Sequence, residues 1–159
     1  MKYSEAPTRG FALLSLLIVV AVIGITTSAG VSLGVVAQRR AAEEALLDIG
    51  RELQFALQSY ASATPEGQSP YPASLQELLR DPRVPGIRRH LRQLYADPFS
   101  GRSDWRLIAA PSGRGIASIT SSSEQQPIKQ DNFDAEFVGF EHRSTYANWQ
   151  FKADHATIH

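Results

Sequence analysis

Asp131-Asn-Phe-Asp-Ala-Glu136 places three carboxylates and one amide within six residues. Hard cations such as calcium take six to eight oxygens from carboxylates and backbone carbonyls. Asp131, Asp134 and Glu136 are therefore a candidate calcium site, with a solvated loop as the alternative. The segment is not an EF-hand, because the spacing and the turn glycine of that loop are absent. His155 and His159 are four apart and could share a helix face over a metal, but in a seven-residue tail they read as a solvated end. Ser112 lies in Pro-Ser-Gly, a turn, and His90 and His142 stand alone as surface or packing residues. There is no Gly-x-Ser-x-Gly elbow, no phosphate-binding P-loop and no His-Glu-x-x-His. With no cysteine in the chain, thiolate chemistry and disulfides are excluded. The composition points to a structural or binding role, and an enzyme is not expected.

The charge balance narrows the classes further. Lys plus Arg and Asp plus Glu both number 16 in 159 residues. A general nucleic-acid binder usually carries a basic excess. The charge is nevertheless uneven. Arg80, Arg83, Arg88, Arg89 and Arg92 form a basic segment, and the acids concentrate from Glu124 to Glu141. That asymmetry suits head-to-tail contact between neighbouring globular domains. DNA is the weaker partner for it, and a solvated face is the plain alternative.

The elements that position these groups begin with the N-terminus. Met1–Gly10 is polar, with Lys2 and Arg9 as its bases, and no formal charge falls between Arg9 and Arg39. The aliphatic run starts abruptly at Phe11. A bilayer core of about 30 Å needs about 20 apolar residues in a helix, and this stretch is expected to supply them. Three readings compete for it. A secretory signal could be cut near Thr27-Ser28-Ala29, although its apolar core is normally only about 7–15 residues. A plain transmembrane anchor is the second, and a retained assembly helix is the third.

Arg9-Gly10-Phe11-Ala-Leu-Leu-Ser-Leu-Leu-Ile-Val-Val-Ala-Val-Ile-Gly-Ile25 resembles the class III signal of type IV pilins and type II secretion pseudopilins. The resemblance implies cleavage between Gly10 and Phe11 by a prepilin peptidase, with N-methylation of Phe11. The helix would then form the core of a filament. The fifth residue after the cut is usually glutamate in that family. Here it is Ser15, an assembly position without the countercharge, which points toward a minor, tip-type subunit. The implied partners are other pseudopilins through the N-terminal helix, membrane lipid, and an inner-membrane assembly platform with its ATPase. The implied location is the bacterial inner membrane, single pass, with a periplasmic C-terminal domain that is extracted into a filament.

Beyond the apolar run, Leu46, Ile49, Leu53, Ala56, Leu57 and Tyr60 recur at spacings of three and four, so the helix is expected to continue amphipathically. Thr64-Pro-Glu-Gly67 ends it. Ser74-Leu-Gln-Glu77 is a capping-box pattern opening a short helix, and Ile87–Leu94 is expected to be another. Trp105–Ala109, Gly115–Thr120 and Tyr146–Lys152 read as strands, the first two joined by a hairpin at Pro111–Gly115. Trp105 and Trp149 are expected in the core.

The organisation is thus a leader (1–10), a transmembrane or filament-core helix (11–37), its amphipathic continuation (38–63) and a periplasmic globular domain (64–159). The expected fold is α+β and pilin-like, a long helix packed on a three-stranded antiparallel sheet. Asp97-Pro-Phe-Ser-Gly101, Gly115-Ile-Ala-Ser-Ile119 and Gln126-Pro-Ile-Lys129 are similar to segments of pseudopilin bodies. In major pseudopilins the loop corresponding to 131–136 holds a structural calcium. The expected function is a structural pseudopilin or minor pilin subunit of a secretion or pilus-like filament. The alternative is a membrane-tethered periplasmic module that binds DNA or an envelope ligand.

Overall fold

A computed structural model describes the backbone over residues 9–153 and the side chains over 11–22 and 34–153. Residues 1–8 of the leader and the tail histidines His155 and His159 lie outside the described residues. The chain divides into two units, Met1–Arg40 and Ala41–His159.

Helix α1 is Arg9–Ser62. Its first described stretch, 11–22, is apolar and exposed on every face except at Ser15, which is half-buried. The expected membrane half is corrected here. The long described stretch is 34–62, and among the described residues no helix is long and apolar enough to cross a membrane. The single-pass inner-membrane location falls with that finding.

The second unit is built on residues 41–62 of α1. Leu46, Leu53, Ala56, Leu57 and Tyr60 are buried as the spacing requires, and Ile49 packs at the margin. Two further positions extend the stripe. Gly50 is buried because the Phe151 ring lies where its Cβ would be, so any side chain there must displace that ring. Glu43, one turn before Leu46, is buried and accepts hydrogen bonds from Tyr146 Oη (2.8 Å), Ile128 N (2.7 Å) and Lys129 N (3.1 Å). A buried carboxylate is tolerable only when saturated with donors, as this one is. It ties the Gln126–Lys129 segment to the helix.

The helix ends at Ser62 with Thr64 N donating to Ala61 O, and Gly67 takes φ 82° in the turn that follows. Helix α2 is Leu75–Leu79. Ser74 makes no side-chain cap. Glu77 instead reaches back to Ala73 N (2.9 Å) and to Tyr60 Oη (2.8 Å), fastening α2 to α1. No helix forms over 87–94. That segment is irregular and is tied to α2 and the turn after it, with His90 N and Leu91 N both donating to Leu78 O and Arg88 O accepting from Asp81 N.

Strands β1 (Arg106–Ala109), β2 (Ile116–Thr120) and β3 (Phe151–Lys152) form an antiparallel sheet in the order β1-β2-β3. The α+β class and the three-stranded sheet agree with the sequence. Ile119 pairs with Leu107 on one side and Phe151 on the other. β1 is an edge strand, interrupted by a bulge at Ile108/Ala109 and exposed along its whole length. The expected third strand is much shorter than Tyr146–Lys152, because Tyr146–Asn148 coils into a 3-10 turn. That turn carries the Tyr146 hydroxyl to Glu43 and lets Trp149 enter the core. Trp149 then stacks on Phe140 (centroids 5.3 Å apart), with Phe137 and Phe151 against the same cluster.

Candidate functional site

Three sets of chemically capable residues can be built from these elements. The first is the cleavage junction. Gly10 and Phe11 lie in the opening turn of α1, and Phe11 is 77% exposed. No acidic residue occupies the first turn of the helix.

The second is the acidic loop. Asp131, Asp134 and Glu136 do not converge on a common point that could bind calcium. No group of three or more His, Cys, Asp or Glu side chains able to hold a metal occurs among the described residues. Asp131 pairs with His142 Nε2 at 3.1 Å. Asp134 and Glu136 face Arg51 of α1, which also bonds Asp48 at 2.9 Å, one turn earlier on the helix. One guanidinium thus serves three carboxylates. Its hydrogen bond to Glu136, opposed by partial burial, holds the Arg51 pKa above its ordinary value. A fixed organic cation occupies the place where the sequence suggested an inorganic one. Asp131 turns elsewhere because Asn132, at φ 59°, breaks the run of the loop.

The third set surrounds Arg83 and was not foreseen. Arg83 Nε and Nη2 donate to the two oxygens of Asp81 (2.9 and 2.8 Å). The same guanidinium donates to Tyr60 O (2.9 Å) and Thr64 Oγ1 (2.7 Å), capping the open carbonyl end of α1, and lies 3.5 Å over the Tyr60 ring. The Arg83 fork pulls the Asp81 carboxyl well below its usual range, despite burial that would raise it. Burial, reinforced by the hydrogen bond to Glu77, pushes the Tyr60 hydroxyl up. His90 completes the set, with Nε2 3.2 Å from Asp81 Oδ2 and Nδ1 2.8 Å from Ser59 Oγ.

Ser59, His90 and Asp81 stand in the order of a hydrolytic triad, but the arrangement lacks what that chemistry needs. Asp81 is already committed to a guanidinium, the His90 side chain is 1% exposed, and the groove that reaches His90 is not lined by Ser59. A nucleophile needs an approach path and oxyanion donors. The cluster is a structural clasp joining the end of α1 to the loop after α2. Its sequence signal was Asp81-Pro-Arg83, a local turn in which Asp81 Oδ1 also accepts from Arg83 N.

The remaining arginines of the basic segment, Arg80, Arg88, Arg89 and Arg92, are exposed. Arg80, Arg89 and Arg92 edge a groove of about 600 Å³ whose apolar lining is Leu79, Ile87 and Leu94. Asp97, expected only as a turn residue, is fully buried. Its carboxylate accepts from Phe99 N, Ser121 Oγ (2.6 Å) and Ser122 N, locking the turn to the end of β2. Set beside protein-family models, curated proteins and solved structures, the chain matches none of them.

Proposed function

We propose that this chain is a structural pseudopilin or minor pilin subunit of a type II secretion or type IV pilus-like filament. In this reading a prepilin peptidase cuts between Gly10 and Phe11 and methylates Phe11. The new N-terminal helix then packs with those of other subunits, moved by an assembly platform and its ATPase. The observation that carries the reading is the helix stretch beginning at Phe11. Leu13, Leu14, Leu16, Leu17, Ile18 and Val19 are all more than half exposed, on every face of the helix, directly after a basic leader. A helix apolar all round requires apolar surroundings on every side. A bundle of like helices supplies them. The proposal rests on this packing and not on a membrane span.

The role is mechanical. Arg51, rather than calcium, serves the carboxylates of Asp134 and Glu136. Ser15 offers a hydroxyl where a countercharge to the Phe11 amine would serve a repeating filament, which favours a subunit used sparingly. Intact-mass measurement of the mature protein is the test. Loss of residues 1–10 with one added methyl group supports the reading. An N-terminus at Gly30, or an uncut chain, overturns it.

A further inference from the structure

The loop tip at Ile87 combines an exposed aliphatic side chain with a set of arginines that have no counterion, and we infer that it seats the second unit, Ala41–His159, on the surface of an anionic lipid bilayer. Pro85 and Gly86 are exposed, Gly86 turns the chain at φ 117°, and Ile87 beyond it is 75% exposed. The tip is held in place, because Asp81 N bonds Arg88 O and both His90 N and Leu91 N bond Leu78 O. A tip already fixed pays little ordering entropy on contact. Ile87 lines one groove with Arg80, Arg89 and Arg92, and Arg88 is exposed beside it.

The charge around the tip is positive. The groove that holds Ile87 has no acid in its lining. Arg80, Arg88, Arg89 and Arg92 take part in none of the ion pairs among the described residues. Asp81, the acid within their segment, is buried and committed to Arg83. The adjoining groove, which shares Arg89 and Arg92, adds one acid, Glu52, against a further cation, Arg51, and it exposes the Phe55 ring. Anionic lipid answers both parts of this surface. Guanidinium groups pair with phosphate oxygens through a planar fork of donors. Clustered basic side chains are drawn to the negative leaflet surface, and an apolar side chain among them enters the boundary between headgroups and acyl chains. Nucleic acid would meet the arginines, but the isoleucine at the tip gives its bases no ring to stack on.

One copy makes this contact alone, which agrees with a subunit used sparingly, and the contact is peripheral, so it needs no membrane span. The inference does not depend on cleavage at Gly10, and its test is separate from the mass measurement above.

The chain has no cysteine, so one introduced thiol can carry a polarity-sensitive fluorophore without background. Full-length copies labelled at Ile87→Cys or at Leu107→Cys are mixed with phosphatidylcholine vesicles, with and without added phosphatidylglycerol. Leu107 is exposed on β1 and its neighbour Arg106 is paired with Glu124, so it controls for apolar exposure without a free cation. The apolar stretch from Phe11 is common to every copy and every vesicle. The expected result is a blue shift of the label at 87 that requires phosphatidylglycerol and is lost in high salt, with the label at 107 unchanged. Arg89→Glu combined with Arg92→Glu abolishes the shift. Absence of the shift on anionic vesicles overturns the inference. So does an equal shift on neutral vesicles, an equal shift at 107, or survival of the shift in high salt or in the double variant. A shift of the label at 87 produced by duplex DNA or by polyglutamate without lipid would assign the arginines to nucleic acid or to an acidic protein segment, and would also overturn it.

Discussion

Arg83 and Arg51 use the same chemistry in two regions of the second unit, and they differ chiefly in water. Arg51 has three carboxylates around it and its side chain is 44% exposed, with Asp48 at 76% and Asp134 at 71%. Arg83 has a single carboxylate, but its side chain is 9% exposed and that of Asp81 is 0%. Counting ion pairs would rank Arg51 first. Burial reverses the ranking. Exposed charges are screened by water and salt, and the median surface pair contributes about 0–1 kcal/mol. A buried charge stripped of its partner has no water to replace it. The clasp therefore holds the end of α1 to the loop after α2, while the Arg51 cluster mostly sets the local field.

The largest expected effect is at Asp81. Asp81→Ala leaves the Arg83 guanidinium buried beside the Tyr60 ring with no counterion, and destabilises the fold by about 3–5 kcal/mol. Chemical denaturation of the full chain measures it. A loss below about 1 kcal/mol would place the clasp with the surface pairs and remove the contrast.

Acid offers a second, graded way to open the same clasp. The Asp81 carboxyl sits below its ordinary value of 3.8 because Arg83 donates to it. The unfolded chain then binds the proton more readily than the folded one, so stability rises with pH across that window. The contribution is complete above the ordinary carboxylate range and drains away as pH falls below it. Wild-type melting temperature should drop between about pH 5 and pH 2, and Asp81→Asn should flatten part of that drop. An identical slope in the variant would show that other carboxylates govern the acid response.

The clasp and the Glu43 anchor also show what the sequence could and could not reveal. The apolar stripe from Leu46 to Tyr60 was legible, because helical spacing alone selects which side chains face the core. Glu43 continues that spacing one turn earlier, but its charge argued for solvent. Only the distant Ile128 N–H, Lys129 N–H and Tyr146 hydroxyl make its burial affordable. Ile87–Leu94 failed as a helix because its bonding partner is a carbonyl of α2, a long-range choice invisible to local pattern. The acidic loop was legible as a cation site but not as to which cation, since Arg51 lies 85 residues from Glu136 in sequence. The membrane half is the part that the structure does not return, since among the described residues no helix is long and apolar enough to cross a membrane. Asp131 was grouped with Asp134 by proximity in sequence, which the positive φ of Asn132 undoes.

The smallest expected effect belongs to Arg51, and its sign in salt sharpens the contrast. Arg51→Ala removes three exposed pairs together, yet each partner can return to water, so the loss should stay within about 1 kcal/mol at low ionic strength. Three carboxylates then remain near one another without a cation, and their repulsion adds to the loss only where it is unscreened. At 1 M salt the Debye length is about 3 Å, so most of that repulsion disappears. The difference between wild type and Arg51→Ala should therefore shrink as salt rises. The deficit of Asp81→Ala should barely move, because its charges are shielded from the solution by protein. Melting curves of both variants at about 0.01 M and about 1 M salt, conditions spanning Debye lengths from about 30 Å down to about 3 Å, make the comparison. If Arg51→Ala lost as much stability as Asp81→Ala, and kept that loss in high salt, the acidic cluster would be acting as a buried site and the distinction between the two arginines would fail.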